Sequence, residues 1–212
     1  MGRLLNSLIF VGMIVVGRCD DPHCCVSSQF SSRIRIETAS AAVGREPRID
    51  YNDFFMDYDR DMKIEKISGT LTKDVGGSTE STVNYTVIND YQHGKSYNFG
   101  NFFGYAYCNV SQINVNDMNP GCVPKSFNLT GTFRLGSGSD SAKINVFEGM
   151  EGNVQRTVVT TANECNPISM ASHGALDDGS YIKENMFYIN FVQNSTFPAG
   201  TFTIPDNCKT AG

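Results

Sequence analysis

The chain has 212 residues, of which 40% are hydrophobic and 18% charged, with a formal charge of −5. That composition excludes a disordered chain, and the absence of any Lys/Arg-rich run excludes an electrostatic footprint for nucleic acid. The length suits one domain with a sizeable core.

At the start, Arg3 precedes the apolar run Leu8 to Val16, and the small residues Gly17 and Cys19 follow. This reads as a secretory signal peptide over residues 1–19, leaving 20–212 as a single domain. The run is too short to cross about 30 Å of hydrocarbon. No later stretch has spanning length, so no transmembrane anchor is expected. Secretion places the cysteines in an oxidising compartment, where disulfides are the default. Beyond Cys19 the chain has Cys24, Cys25, Cys108, Cys122, Cys165 and Cys208, an even number with no CxxC spacing that would favour zinc. Adjacent Cys24 and Cys25 are expected to reach separate, distant partners.

The segment Arg33 to Glu37 alternates polar and apolar, as does Met62 to Ile67, and each predicts a half-buried strand. Between them lies an acidic cluster of Asp50, Asp53, Asp57, Asp59 and Asp61. Asp57, Asp59 and Asp61 begin like a calcium-binding helix–loop–helix loop, but Met62 and Ser68 stand where Gly and a bidentate Glu are required. On a strand the three carboxylates would share one side, which makes them the candidate calcium ligands; the competing reading is a solvated acidic edge. Further strands are expected at Ser81 to Asn89, Lys95 to Asn101, Ser126 to Arg134, Ala142 to Phe147, Gln155 to Thr161 and Glu184 to Val192, all rich in β-branched and aromatic residues. Turns are expected at Gly76-Gly77-Ser78, His93-Gly94-Lys95, Gly136 to Ser139 and Asp177 to Ser180. Short strands with regular punctuation and no long helical period predict an antiparallel sandwich or open barrel.

Four sequons, at Asn84, Asn109, Asn128 and Asn194, are candidate glycan acceptors. Aromatic residues concentrate at Phe54-Phe55, at Tyr97 to Tyr107, and at Phe187, Tyr188 and Phe191. They serve a core by default, or a gap between layers that takes an apolar ligand. Ser172, His173 and Asp177 are neighbours in a polar segment read as a loop, and no Gly-x-Ser-x-Gly elbow or HExxH pair accompanies them. No catalytic residue is therefore assigned, and no organic cofactor is expected.

Five landmarks in order make the chain resemble the ependymin family of secreted proteins. They are Cys25 ahead of Phe30; Tyr58-Asp59; Asp90 to Tyr97 leading to Tyr107-Cys108; Phe147-Glu148-Gly149 leading to Cys165-Asn166-Pro167; and Phe197-Pro198 with Ile204-Pro205 before Cys208. The resemblance implies two stacked, curved antiparallel sheets in an open sandwich or half-barrel around an apolar pocket, similar to bacterial lipoprotein carriers. It also implies a glycosylated protein that is secreted or lysosomal, is dimeric, and is associated with calcium, cell–matrix adhesion and lipid. By analogy the pairing would be Cys25–Cys165 and Cys108–Cys208, leaving Cys24–Cys122.

The reading that follows is a non-enzymatic secreted glycoprotein that binds a lipid or other hydrophobic small molecule, and calcium. Its rivals are a calcium-dependent extracellular-matrix adhesion protein without lipid cargo, and a hydrolase with a dispersed site.

Overall fold

The structure, a computed structural model, describes residues 24–44, 46–73, 81–102, 104–194 and 196–209. The expected signal peptide and the turn at Gly76-Gly77-Ser78 lie outside these residues. Among the described residues the strands are β1 (Gln29–Ala41), β2 (Arg48–Asp59), β3 (Ile64–Lys73), β4 (Ser81–Asp90), β5 (Lys95–Phe102), β6 (Tyr105–Gln112), β7 (Asn128–Leu135), β8 (Ala142–Glu151), β9 (Val154–Thr161), β10 (Pro167–Ala175) and β11 (Tyr181–Gln193). A four-residue helix, α1 (Asp206–Lys209), closes the described chain.

The fold is all-β, antiparallel and open. One continuous eleven-stranded sheet runs β6-β5-β4-β3-β2-β1-β11-β10-β9-β8-β7. It consists of two meanders, β1 to β6 and β7 to β11, zipped together where β1 pairs with β11. Strands β6 and β7, consecutive in sequence, end up at opposite edges. Within each meander, strands consecutive in sequence lie side by side and antiparallel. Between β4 and β5 the Asp90 carboxylate accepts the His93 N–H at 3.0 Å, and Gly94 takes φ 66°. A side chain at Gly94 would also press on the Ile113 carbonyl, 3.2 Å from a Cβ there, so both backbone freedom and space demand glycine.

Register fixes two faces, because paired residues point the same way and neighbours along a strand alternate. Tyr188, Ile34, Phe54 and Gly69 lie across one row of the inner face. Ile34, Ile36, Phe54 and Met186 form one buried cluster there, and Val26, Phe30 and Tyr58 another. The inner face is covered by two segments without strand structure, residues 24–28 and the crossover 113–127 that links β6 to β7. The Tyr58 hydroxyl donates to the Asn119 carbonyl at 2.6 Å, and Arg60 Nη1 donates to the Pro120 carbonyl at 3.1 Å. Val26 N–H donates to the Gly121 carbonyl, and Val123 N–H to that of Cys24. Phe127, 1% exposed, packs with Cys24, Val123 and Phe147. A Cβ at Gly149 would strike the Phe127 ring, so glycine at that position makes room for it.

Among the described residues three disulfides are present. Cys108 bonds Cys208, as the resemblance implied. The other two correct the expected pairing: Cys24 bonds Cys165 and Cys25 bonds Cys122. Cys25 and Cys122 face each other in an isolated antiparallel bridge. The alternation of extended chain then turns Cys24 the other way, into the Phe127–Phe147 cluster beside Cys165.

Three strands were not foreseen. β2 was read as an acidic cluster, β6 as part of an aromatic cluster, and β10 as a polar loop. The strand expected at Met62 begins at Ile64, because residues 60–63 form a turn in which Lys63 has φ 52°.

Candidate functional site

After β11 the chain returns over the outer face of β1 and β2. Asn194 N–H donates to the Gln29 carbonyl at 3.0 Å, and Asn194 Nδ2 to Ser31 Oγ at 2.8 Å. Two turns follow, closed by Thr201 N–H to Pro198 O at 3.2 Å and Thr203 N–H to Gly200 O at 3.1 Å. Phe197 and Phe202 meet edge to face, with ring centres 5.1 Å apart. Helix α1 lies against β6, and Cys208 is tied to Cys108 on that strand. The returning segment is thus fastened at both ends.

Between this segment and the sheet is an open cleft of about 450 Å³, lined by Gln29, Asp59, Met62, Phe197, Pro198 and Phe202 together with threonines of the same segment. The polar floor comes from the register, since Gln29 and Asp59 are cross-strand partners. Gln29 Nε2 donates to Asp59 Oδ2 at 2.9 Å, while Asp59 Oδ1 accepts the Met62 N–H at 2.9 Å. Asp59 is 2% exposed and holds the turn that presents Met62. Apolar walls over a fixed hydrogen-bonded floor suit a compact hydrophobic ligand. No local pattern marks Gln29 as a lining residue, and Met62 stood out only as the residue where a calcium loop requires glycine. Phe197-Pro198 was noticed only as a landmark of resemblance.

Asp57, Asp59 and Asp61 do not share one side of a strand. Asp61 lies beyond the end of β2, in the turn that Asp59 caps. Asp57 accepts from Ser31 Oγ at 2.7 Å, and Asp61 from Ser28 Oγ at 2.9 Å. Among the described residues no three Asp, Glu, His or Cys side chains converge on a point that could hold a metal ion. Further along β2, Asp53 is clamped by Arg33 at 2.7 Å and Arg35 at 3.1 Å. The hydrogen bond from Arg33 holds the Asp53 carboxyl below its ordinary range, partial burial opposes it, and Arg35 adds to the lowering.

The sequon residues Asn84, Asn109 and Asn128 are exposed, on β4, β6 and β7 respectively. Asn194 is half-buried, its amide engaged with Ser31. The aromatic clusters divide between the faces: Phe54 and Tyr188 lie inside, whereas Phe55 (62% exposed) and Phe187 (41%) lie outside. Phe191 stacks on Phe30 with ring centres 5.0 Å apart; Phe103 is outside the described residues.

Polar clusters also stand on the inner face. Glu65, paired across β2–β3 with Tyr58, is 7% exposed; its Oε1 accepts from Asn89 Nδ2 at 2.7 Å and from the Tyr91 hydroxyl at 2.8 Å. Burial drives its carboxyl upward, and the two hydrogen bonds counter it only in part. Burial, the Glu65 charge and the hydrogen bond together push the Tyr91 hydroxyl far up. At the other end Arg156, Ser172, Glu184 and Thr38 form a row across β9, β10, β11 and β1. Arg156 Nη1 lies 2.7 Å from Glu151 Oε2, yet the two are not aligned for a hydrogen bond. Burial raises Glu184, against a hydrogen bond from Thr38 and the charge of Arg156, and Tyr188 is pushed up to about 12 by burial and by Glu184.

Ser172 and His173 are on β10 instead of in a loop. Ser172 is buried on the inner face, His173 points outward, and Asp177 lies in the turn beyond, so the three do not form a relay. No described helix is long and apolar enough to cross a membrane.

No family model matches the chain, and no curated protein matches it. Among solved structures, a LolA superfamily protein from Nitrosomonas europaea aligns with 10% identity over 86% of this chain and 93% of that one, at a TM-score of 0.38.

Proposed function

We propose that the protein is a secreted glycoprotein that works by binding a hydrophobic small molecule or lipid, and not by catalysis. The observation that carries this reading is the open cleft of about 450 Å³ beside the segment fastened by Cys108–Cys208. Its size falls within the range of small-molecule sites, roughly 300–1,000 Å³. Each Å² of apolar ligand surface removed from water contributes about 25 cal/mol, before the cost of ordering. The ependymin-like landmarks support the same reading. They also carry the expectations of a homodimer, of matrix contact and of calcium, the last tested by comparing thermal midpoints with and without the ion.

Organic extraction of protein purified without detergent, followed by mass spectrometry, tests the reading. A stoichiometric lipid that Phe197→Ala and Phe202→Ala both deplete supports it. A clean blank from folded protein, with no uptake of added fatty acid or phospholipid, rejects it.

A further inference from the structure

An open sheet has two free edges, and each offers unpaired backbone groups to any other strand. Here the edges are β6 and β7, each hydrogen-bonded on one side only among the described strands. Proteins commonly blunt such edges with lysine, proline, short strands or a bulge. β6, Tyr-Ala-Tyr-Cys-Asn-Val-Ser-Gln, has eight residues and neither a charged residue nor a proline. Tyr105 on it is 81% exposed. β7, Asn-Leu-Thr-Gly-Thr-Phe-Arg-Leu, has one charge, Arg134, and a bulge between Leu129 and Gly131. It still exposes Leu129 (54%), Phe133 (54%) and Leu135 (53%). β-favouring strands of this length with little charge are the kind that pair between molecules.

What the two edge strands share is a sequon. Asn109 lies within β6 and Asn128 opens β7, and both are exposed. Their partners across the ladder, Asn98 and Glu148, lie on the inward neighbour, so each acceptor stands at the rim. We infer that N-glycans on Asn109 and Asn128 are the edge guards of this sheet, holding other strands off both rims by bulk and hydration where β6 has neither charge nor proline and β7 has a single arginine and one bulge. Asn84, on interior strand β4, serves as the matched exposed site away from any edge.

The test uses the full chain secreted from eukaryotic cells that make only high-mannose glycans. Occupancy is read by mass, and assembly by light scattering during incubation near the thermal midpoint. Asn109 and Asn128 should be occupied. The double variant Asn109→Gln/Asn128→Gln should form species larger than the native oligomer severalfold faster, whereas Asn84→Gln should match the parent. Asn109→Lys/Asn128→Lys, which restores charge without sugar, should recover most of the resistance. Because a variant can misfold during secretion, the folded parent is also trimmed to one sugar per site with an endoglycosidase; trimming should speed assembly as well. Empty Asn109 and Asn128 in the parent, equal assembly of parent and double variant, or equal sensitivity to Asn84→Gln would overturn the inference.

Discussion

Glu65 sets a pH dependence with a definite sign. Its carboxyl is buried against Tyr58, Asn89 and Tyr91, and burial raises its folded pKa above the ordinary 4.5. A raised carboxyl contributes stability that is complete below the unfolded value and is lost as pH rises through the folded one. Glu184 acts in the same sense. Unfolding free energy should therefore decline above about pH 4.5 as these two groups are forced to ionise in place. Glu65→Gln keeps an acceptor for Asn89 and Tyr91 and removes the charge. It should stabilise the protein at pH 7 by about 1.4 kcal/mol for each unit between the folded and unfolded pKa, and be neutral at pH 4. Denaturant titrations at both values check this; equal effects at the two would dismiss it.

A second residue-scale prediction concerns Phe127 and Gly149. Phe127→Ala empties the volume between Cys24, Val123 and Phe147 and should cost about 3–5 kcal/mol. Gly149→Ala drives a methyl group into the same ring and should cost about 1–3 kcal/mol. Phe127→Leu/Gly149→Ala should then be less destabilised than the two single effects summed, since the smaller side chain yields the space. At this scale the sequence was a partial guide. It marked all the cysteines that pair, but it could not order Cys24 against Cys25. Adjacent side chains on extended backbone face opposite ways, and which way is set by the Cys25–Cys122 bridge, a long-range contact.

Among the elements, clean alternation was legible where one face is wet and the other dry, as in β1. β2 was missed because its outward positions are acidic, Asp53, Asp57 and Asp59, and look like a ligand set when read along the chain. In the sheet those carboxylates serve separate partners: two arginines, one serine, and a turn with Gln29. β10 was missed because serine, histidine and glycine look like a loop, and a strand between two neighbours can tolerate them once β9 and β11 supply the ladder. The cleft was out of reach for the same reason: Gln29 and Met62 join Phe197 and Phe202 only through pairing distant in sequence. One element, the returning segment, makes the cleft, and one bond holds its far end. Cys108→Ser/Cys208→Ser should cost about 2–5 kcal/mol. Hydrogen exchange over 196–209 should quicken more than over β1 or β11, and bound ligand should be lost. Unchanged exchange there would show that the turns and α1 hold the segment unaided.

At the scale of the molecule, the sheet is two meanders that share one seam, β1 with β11, and one overhead crossover, residues 113–127. That architecture was foreseeable as all-β and antiparallel from strand count and turn spacing. Its seam was not, because nothing in the local pattern of β1 or β11 names the other as partner. The crossover has a consequence for how the protein would survive processing. A single cut between Ile113 and Gly121 would give one piece bearing Cys24, Cys25 and Cys108 and another bearing Cys122, Cys165 and Cys208, so each of the three described disulfides would join one piece to the other. With the β1–β11 ladder intact as well, a nicked molecule should migrate as one band without reductant and as two with it. The crossover could then be severed during maturation and the protein would persist as a covalent two-chain particle, in the manner of a peptide hormone excised from its precursor.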